Sequence, residues 1–389
     1  MEKRIQTMAE HWFIRPLIIC FLMMTMSSQV RGSDWTNIIT PKTAISNGAV
    51  CLDGSPATYY FRNGSGDGID NWLIYLEGGG WCTSNKGCLE RTKIYTGTST
   101  LKPKRMYFTD ILSEDQTINP DFYNWNRVFV AYCDSSSYLG DVEANTYPNR
   151  RGARIFDSVM EDLLDKGMKN AKNAILSGGS AGGLGTILHC DGFRSLIPKA
   201  SRVKCLSDAG FFIHAKNLHG AQERERFFAN MIAYHGATKH LPASCTTKMN
   251  ANLCIFPENI VKDIQTPLFF LESAFDGHQL REHYFSNDPT WTNCISNLKV
   301  CTPTQLQTMK DFRTALIKTL REVANSPSTG ILVHSCYRHG HFMDQGWCTT
   351  SPALRKKINQ AIADWYFDRR SFQEIDTHTE SPRNCTKLT

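Results

Sequence analysis

Residues 174–189 read Ala-Ile-Leu-Ser-Gly-Gly-Ser-Ala-Gly-Gly-Leu-Gly-Thr-Ile-Leu-His, an apolar run joined to a helical one through Gly-x-Ser-x-Gly. A chain with this segment is constrained to turn a buried strand sharply into a helix, the layout that leaves a serine hydroxyl exposed at the turn. The pentapeptide alone is common in Gly/Ser-rich loops; the strand before it and the helix after it make it specific. At such an elbow Ser180 takes strained backbone angles, and Gly178 and Gly182 let neighbouring chain approach without a Cβ clash. The amide of Ala181 then opens the helix, where it can face a developing oxyanion with the helix dipole behind it.

The surrounding pattern predicts an α/β fold. Apolar runs at 72–76, 127–132, 174–177, 203–206, 267–271 and 330–334 alternate with amphipathic stretches, which argues for a mainly parallel central sheet with helices on both faces. Between the second and third runs, Ile155, Phe156, Val159, Met160, Leu163 and Leu164 form one stripe that stops at Gly167, the mark of a crossover helix. Residues 304–323 and 353–365 repeat that spacing and are expected to cover the sheet. The 389 residues suit one large domain, expected over 33–389, with 376–389 as a loose tail.

Residues 17–24 are an apolar run preceded by Lys3, Arg4 and Arg15 and followed by Ser27, Ser28 and Gly32. This reads as a secretory signal peptide over 1–32: its apolar core is about 10 residues, where a membrane span needs roughly 20. The expected mature protein is secreted, with no stable membrane anchor, and monomeric. Of fourteen cysteines thirteen lie beyond residue 32, a number that fits an oxidising compartment and disulfide pairing. Sequence proximity suggests Cys82 with Cys88, Cys245 with Cys254, Cys294 with Cys301 and Cys336 with Cys348, and leaves one thiol over. No Cys-x-x-Cys pair is present and the histidines lack ligand spacing, so no metal site is expected. Asn63 and Asn384 head glycosylation sequons. The formal charge is +6, of which residues 1–32 carry +2; this mild basicity gives no reason to expect nucleic acid, while a polyanion would be attracted.

Serine acyl transfer also needs a base, an acid to orient it, and oxyanion donors, and in this architecture the order along the chain is Ser, Asp, His. Asp276 follows the apolar strand at 267–271 and is the expected acid. Asp208 also ends a strand and reads better as a structural or pocket residue. The last strand runs into Ser335-Cys336-Tyr337-Arg338-His339-Gly340-His341. His339 is the expected base, His341 its rival, and His334 a packed strand residue. Leu76-Glu77-Gly78-Gly79-Gly80-Trp81-Cys82 supplies a glycine loop whose Gly80 and Trp81 amides would join that of Ala181 in an oxyanion hole, with Glu77 supporting the loop. No cofactor is required.

With Val50-Cys51-Leu52-Asp53-Gly54-Ser55-Pro56, Asn119-Pro120-Asp121-Phe122-Tyr123-Asn124-Trp125-Asn126 and Cys205-Leu206-Ser207-Asp208-Ala209-Gly210-Phe211-Phe212 added to these motifs, nearly the whole chain beyond residue 32 resembles the plant pectin acetylesterases, in the carbohydrate esterase family that also includes the animal Wnt deacylase Notum. The resemblance implies an α/β-hydrolase-like fold, the triad Ser180, Asp276 and His339, the oxyanion donors Gly80, Trp81 and Ala181, and acetylated cell-wall pectin as substrate. Two alternatives are a Notum-like lipid or protein carboxylesterase and an inactive polysaccharide-binding protein. Two positions depart from the family pattern: Gly179 stands where a cysteine usually precedes the nucleophile, and Gly340-His341 where a Cys-Gln pair usually follows the histidine. Arg151 and Arg338 are candidates to meet substrate carboxylates.

Overall fold

The computed structural model describes residues 35–143, 146–218, 220–284, 290–324, 326, 328–342, 357–376, 381–383 and 385; residues 1–32, expected as a signal peptide, lie outside them. Thr36–Thr389 groups as a compact unit. Its strands are β1 Trp35–Ile39, β2 Tyr59–Arg62, β3 Asn71–Leu76, β4 Arg105–Tyr107, β5 Asn126–Val130, β6 Asn173–Gly179, β7 Arg202–Asp208, β8 Leu268–Asp276, β9 Gly330–Arg338 and β10 Gln373–Ile375. They form one sheet in the order β10-β9-β8-β7-β6-β3-β5-β2-β1-β4. The neighbours from β10 to β5 are all parallel, and the β5–β2 and β2–β1 pairs are antiparallel. The longer helices are α1 Asn85–Arg91, α2 Gly152–Asp165, α3 Ala181–Leu196, α4 Ala221–His235, α5 Pro303–Val323 and α6 Ile358–Tyr366.

The central strands are mostly apolar and almost wholly buried because both sheet faces are covered, as parallel sheets require. Side chains alternate between the faces along each strand. Trp72, Ile74 and Leu76 of β3 join a core with Ile155 and Val159 of α2, Leu184 of α3, and Phe312 and Leu316 of α5. Leu73 and Tyr75 join the opposite core with Phe122, Trp125, and Ile362, Trp365 and Tyr366 of α6. The stripes at 304–323 and 353–365 therefore cover opposite faces, the second from Ile358 onward. The chain passes from β3 to β5 on one side and returns to β6 on the other, so the loops after β3 and β6 diverge from a topological switch point. Crevices open at the carboxyl ends of strands at such points.

β8 and β9 extend beyond the apolar runs that announce them. A bulge between Ser273 and Phe275 shifts their register and carries β8 on through the buried Glu272 and Ser273 to Asp276. Asp276 is thus the last strand residue rather than part of a following turn.

Among the described residues, six disulfides join Cys51–Cys133, Cys82–Cys88, Cys190–Cys205, Cys245–Cys254, Cys294–Cys301 and Cys336–Cys385. The expected pairing of Cys336 with Cys348 is replaced by Cys336–Cys385, and Cys348 lies outside the described residues. The cause is a return of the chain end to β9: the Arg383 amide donates to Ser335 O at 2.9 Å, and Arg383 O accepts from the Tyr337 amide at 2.8 Å. The described part of the segment expected as a loose tail is accordingly tied to the sheet.

Candidate active site

Ser180 sits between β6 and α3 with φ 56° and ψ −125°, the positive-φ strain an elbow demands. Its amide donates to Asp208 O at 2.8 Å. A Cβ at Gly178 would overlap Gly182 O, and one at Gly182 would overlap Leu76 O, so glycine is required at both positions for the turn to close against β3. A Cβ at Gly179 would lie 2.5 Å from the Tyr75 hydroxyl. The space beside position 179 is filled by the Tyr75 side chain.

The carboxyl ends of β8 and β9 bring Asp276 and His339 to this turn. His339 Nε2 lies 2.7 Å from Ser180 Oγ, and His339 Nδ1 lies 2.8 Å from Asp276 Oδ2. Asp276 is fully buried, and its other oxygen accepts from the amides of His278 at 2.9 Å and Gln279 at 2.8 Å. Those bonds fix the acid, which fixes the tautomer of His339: Nδ1–H donates to the carboxylate and Nε2 is left to accept from the hydroxyl. Burial alone would raise the Asp276 pKa, but the charge and hydrogen bond of His339, helped by the Gln279 amide, hold it below the ordinary value. Burial pulls His339 down, yet the charge and hydrogen bond of Asp276, with Asp208 beyond, outweigh it and leave the imidazole raised.

The rival histidine is placed elsewhere. His341 is buried, with Nδ1 2.6 Å from Asp208 Oδ1 and Nε2 2.5 Å from His334 Nε2. The hydrogens in this chain can be ordered. His334 Nδ1 accepts from the Cys336 amide at 3.1 Å, so His334 donates through Nε2, His341 accepts through Nε2, and His341 donates through Nδ1 to Asp208. Oδ2 of Asp208 also accepts from the amides of His341 at 2.5 Å and Phe342 at 2.7 Å. Asp208 therefore holds the turn that carries His339 with its side chain and the Ser180 amide with its carbonyl. Arg338 closes the turn from the other end, donating from Nε to Gly340 O at 2.9 Å.

The glycine loop after β3 packs directly on the elbow: a Cβ at Gly78 would overlap Gly179 O and stand 2.9 Å from Ser180 Cβ. Gly80 has φ 69°, and its carbonyl accepts from Tyr132 Oη at 2.8 Å. The Trp81 indole donates to Ser137 Oγ at 2.8 Å. Glu77 is anchored by Lys102 and by the Tyr132 amide at 2.7 Å. Among the described residues, the amides of Gly80, Trp81 and Ala181 have no acceptor, which leaves all three available to a ligand oxygen.

Two neighbours were not legible in the sequence. His278 lies with its ring centroid 4.8 Å from that of His339, and burial together with the His339 charge pushes its pKa down to about 4. Glu272 is buried, accepts from the amides of Gly210 and Phe211, and is pushed well above its ordinary pKa by burial and by Asp276. Nothing in single-sequence spacing marks either one. Arg151 is 7% exposed, which removes it from the surface. Asn63 is exposed, and Asn384 lies outside the described residues. Among the described residues, the group close enough to share a metal ion is Cys82, Cys88 and His235, but the two sulfurs are joined in a disulfide and offer no thiolate. No described helix is long and apolar enough to cross a membrane.

Comparison with known proteins identifies the family. Residues 32–386 match the family described as Pectinacetylesterase. Pectin acetylesterase 11 of Arabidopsis thaliana is 42% identical over 375 residues, covering 93% of this chain and 95% of its own length. Pectin acetylesterase 7 of the same plant is 42% identical over 364 residues, covering 91% and 93%. A palmitoleoyl-protein carboxylesterase, notum1a of Danio rerio, is 28% identical over 85% of this chain and 65% of its own. The solved Wnt deacylase Notum from Drosophila superposes with a TM-score of 0.75 over 90% of this chain and 98% of its own, at 23% identity, a likeness of fold. The chain belongs to the pectinacetylesterase family.

Proposed function

We propose that this chain is a secreted serine esterase that removes O-acetyl groups from galacturonate residues of cell-wall pectin, with Ser180, His339 and Asp276 as its triad. The observation that carries this reading is the continuous Ser180–His339–Asp276 hydrogen-bond chain at a strained strand–helix elbow. His339 Nε2 takes the Ser180 proton as Oγ attacks the acetyl carbonyl. The amides of Gly80, Trp81 and Ala181 stabilise the oxyanion. The tetrahedral intermediate expels the sugar oxygen, which takes the proton from His339. Water, deprotonated by the same imidazole, then attacks the acetyl-enzyme and releases acetate and Ser180. Asp276 stabilises the imidazolium in both halves.

Aromatic rings pack together beside the oxyanion loop and the His339 ring. Trp81 meets Phe212 at 4.8 Å and Phe228 at 5.1 Å between centroids, all three are buried, and Phe212 lies 6.3 Å from the His339 ring. Six disulfides suit secretion after removal of 1–32.

The test is acetate release from acetylated pectin by wild type and Ser180→Ala, with acetylated xylan and an octanoyl ester as comparison substrates. Loss of a triad member is expected to cost about 10⁴-fold or more. Near-normal turnover by Ser180→Ala sinks the mechanism. Hydrolysis of the octanoyl ester alone points to a lipid deacylase, and a folded wild type with no activity points to a polysaccharide-binding protein.

A further inference from the structure

At the end of the sheet opposite Ser180, a cleft of about 570 Å³ opens at the start of β7, where Arg202 and Lys204 lie, and just before β8. β7 connects the two ends: its first residue, Arg202, lines the cleft, and its last, Asp208, braces the His339 turn. Six residues of strand put them about 20 Å apart, so the cleft is separate from the catalytic groups.

Its lining is basic. Arg194, Arg202, Lys204 and Arg370 line it together with one carboxylate, Asp368. Arg202 and Lys204 stand two residues apart on one face of β7 and share that carboxylate. Lys204 Nζ lies 2.5 Å from Asp368 Oδ1, and the Arg202 guanidinium lies 3.3 Å from Oδ2. Lys204 is 6% exposed; it also donates to Trp365 O at 2.9 Å near the end of α6, and burial lowers its pKa. That carbonyl accounts for part of the ammonium's partners, but one Asp368 cannot neutralise two cations at the same wall. Arg370 is paired with Glu374 at 3.3 Å, and Arg194 is exposed with no ion pair among the described residues. The cleft therefore keeps an excess of positive charge around a nearly buried ammonium, with the hydroxyls of Ser201 and Ser371 at its exposed rim.

Fixed cations set among hydroxyl groups, in a concavity of ligand size, match a saccharide that carries carboxylates. We propose that this cleft is a second, non-catalytic binding site for the carboxylates of a uronic-acid polysaccharide. The inference rests on the pectin reading for its choice of anion and extends it: one stretch of chain is held at the cleft while another meets Ser180, which raises the local concentration of ester at the catalytic end.

The test uses the full chain as Ser180→Ala, with de-esterified hexagalacturonide as probe in titration calorimetry. Arg194→Glu/Arg370→Glu reverses the exposed charges and leaves the Arg202–Asp368–Lys204 group intact. Affinity for the hexagalacturonide is expected to fall about tenfold or more in the charge-reversed protein and to weaken with added salt in the parent. In the Ser180-containing protein, the same reversal should raise KM on acetylated pectin and leave turnover of a small acetyl ester unchanged. Unchanged hexagalacturonide affinity on charge reversal overturns the proposal. So does equal binding of a neutral galactan hexamer, or displacement by phosphate at the concentration of the oligosaccharide, which makes the cleft a general anion site. If acetylated pectin is not hydrolysed but charge reversal still abolishes uronate binding, the substrate reading fails and the cleft stands.

Discussion

Replacing Asp208 with asparagine keeps volume and removes charge at the residue that ties the Ser180 elbow to the turn carrying His339. The asparagine oxygen can still accept from the amides of His341 and Phe342, now at the 2.5 and 2.7 Å positions of Oδ2. Its NH₂ then faces His341 Nδ1, which must become an acceptor. His341 would donate through Nε2 to His334, and His334 would carry its hydrogen on Nδ1 against the Cys336 amide, donor against donor. One buried bond is lost with its partner left unsatisfied, at about 1–3 kcal/mol, and two bonds to a charged acceptor become neutral, at roughly 1 kcal/mol each. A destabilisation of about 3–5 kcal/mol follows. Because the turn carries His339, a displacement near 1 Å is expected to lower kcat about 100-fold with little change in KM. Steady-state kinetics on a small acetyl ester and a denaturation midpoint measure the two effects. His341→Gln is the discriminating partner. Its carboxamide can present N–H to Asp208 and oxygen to His334, so the donor order survives, and kcat within about threefold of wild type is expected. Asp208→Asn with wild-type kcat, or His341→Gln as impaired as Asp208→Asn, refutes the ordered chain.

Three further outcomes are expected. Gly179→Ala forces a Cβ within 2.5 Å of the Tyr75 hydroxyl and should cost about 1–3 kcal/mol of stability; Tyr75→Phe should recover most of it, and a denaturation midpoint for the pair that simply adds the single losses contradicts the clash. The raised His339 pKa means the imidazole is protonated, and unable to act as base, up to a pH above its ordinary value of about 6.5. The acid limb of kcat/KM should therefore lie above that value and move down in Asp276→Asn, whose residual activity the profile must resolve; an unmoved limb assigns it to another group. Removing Cys51–Cys133, which closes 82 residues, should cost roughly 4–5 kcal/mol, against roughly 2 kcal/mol for Cys82–Cys88, which closes six. Equal losses of denaturation free energy in the two double-alanine variants contradict a chain-entropy origin.

The parts of the fold visible in the sequence are those whose burial writes an uninterrupted pattern. The cores of β3, β5, β6, β7, β8 and β9 are covered on both faces, so each is a short apolar run. β1, β2, β4 and β10 are short and lie toward the sheet edges, with partly exposed residues that dilute any pattern. α4 carries Arg224 on its buried side together with Phe228, Met231, Ile232 and His235, and its polar first half hides the stripe. Ser180 was legible because its environment is local: the residues that force the turn are its own neighbours. The choice between His339 and His341 was not local. It depends on Asp208, 133 positions away from His341, whose acceptance of the second ring leaves only the first free to face Ser180. The Cys336 pairing failed for the same reason: proximity in sequence favoured Cys348, while a strand bridge at Arg383 brings Cys385 alongside.

The position of Asp208 also explains how groups so distant in sequence hold a hydrogen bond of 2.7 Å between Ser180 and His339. β7 lies between β6, which ends in the elbow, and β8, which ends in Asp276. A residue at its carboxyl end can reach both flanking loops, and Asp208 does so with two chemically different groups. Its carbonyl fixes the Ser180 amide, so the elbow cannot rotate without losing that bond, while its carboxylate fixes the amides beyond His339. The separation between hydroxyl and imidazole is then set by one residue's internal geometry rather than by the sum of two independent loop conformations. That arrangement lowers the number of ways the pair can drift apart, which is the preorganisation acyl transfer requires. It also means that Asp276 has only to orient the ring: with Asp276→Asn, His339 should stay near Ser180 while its tautomer is lost.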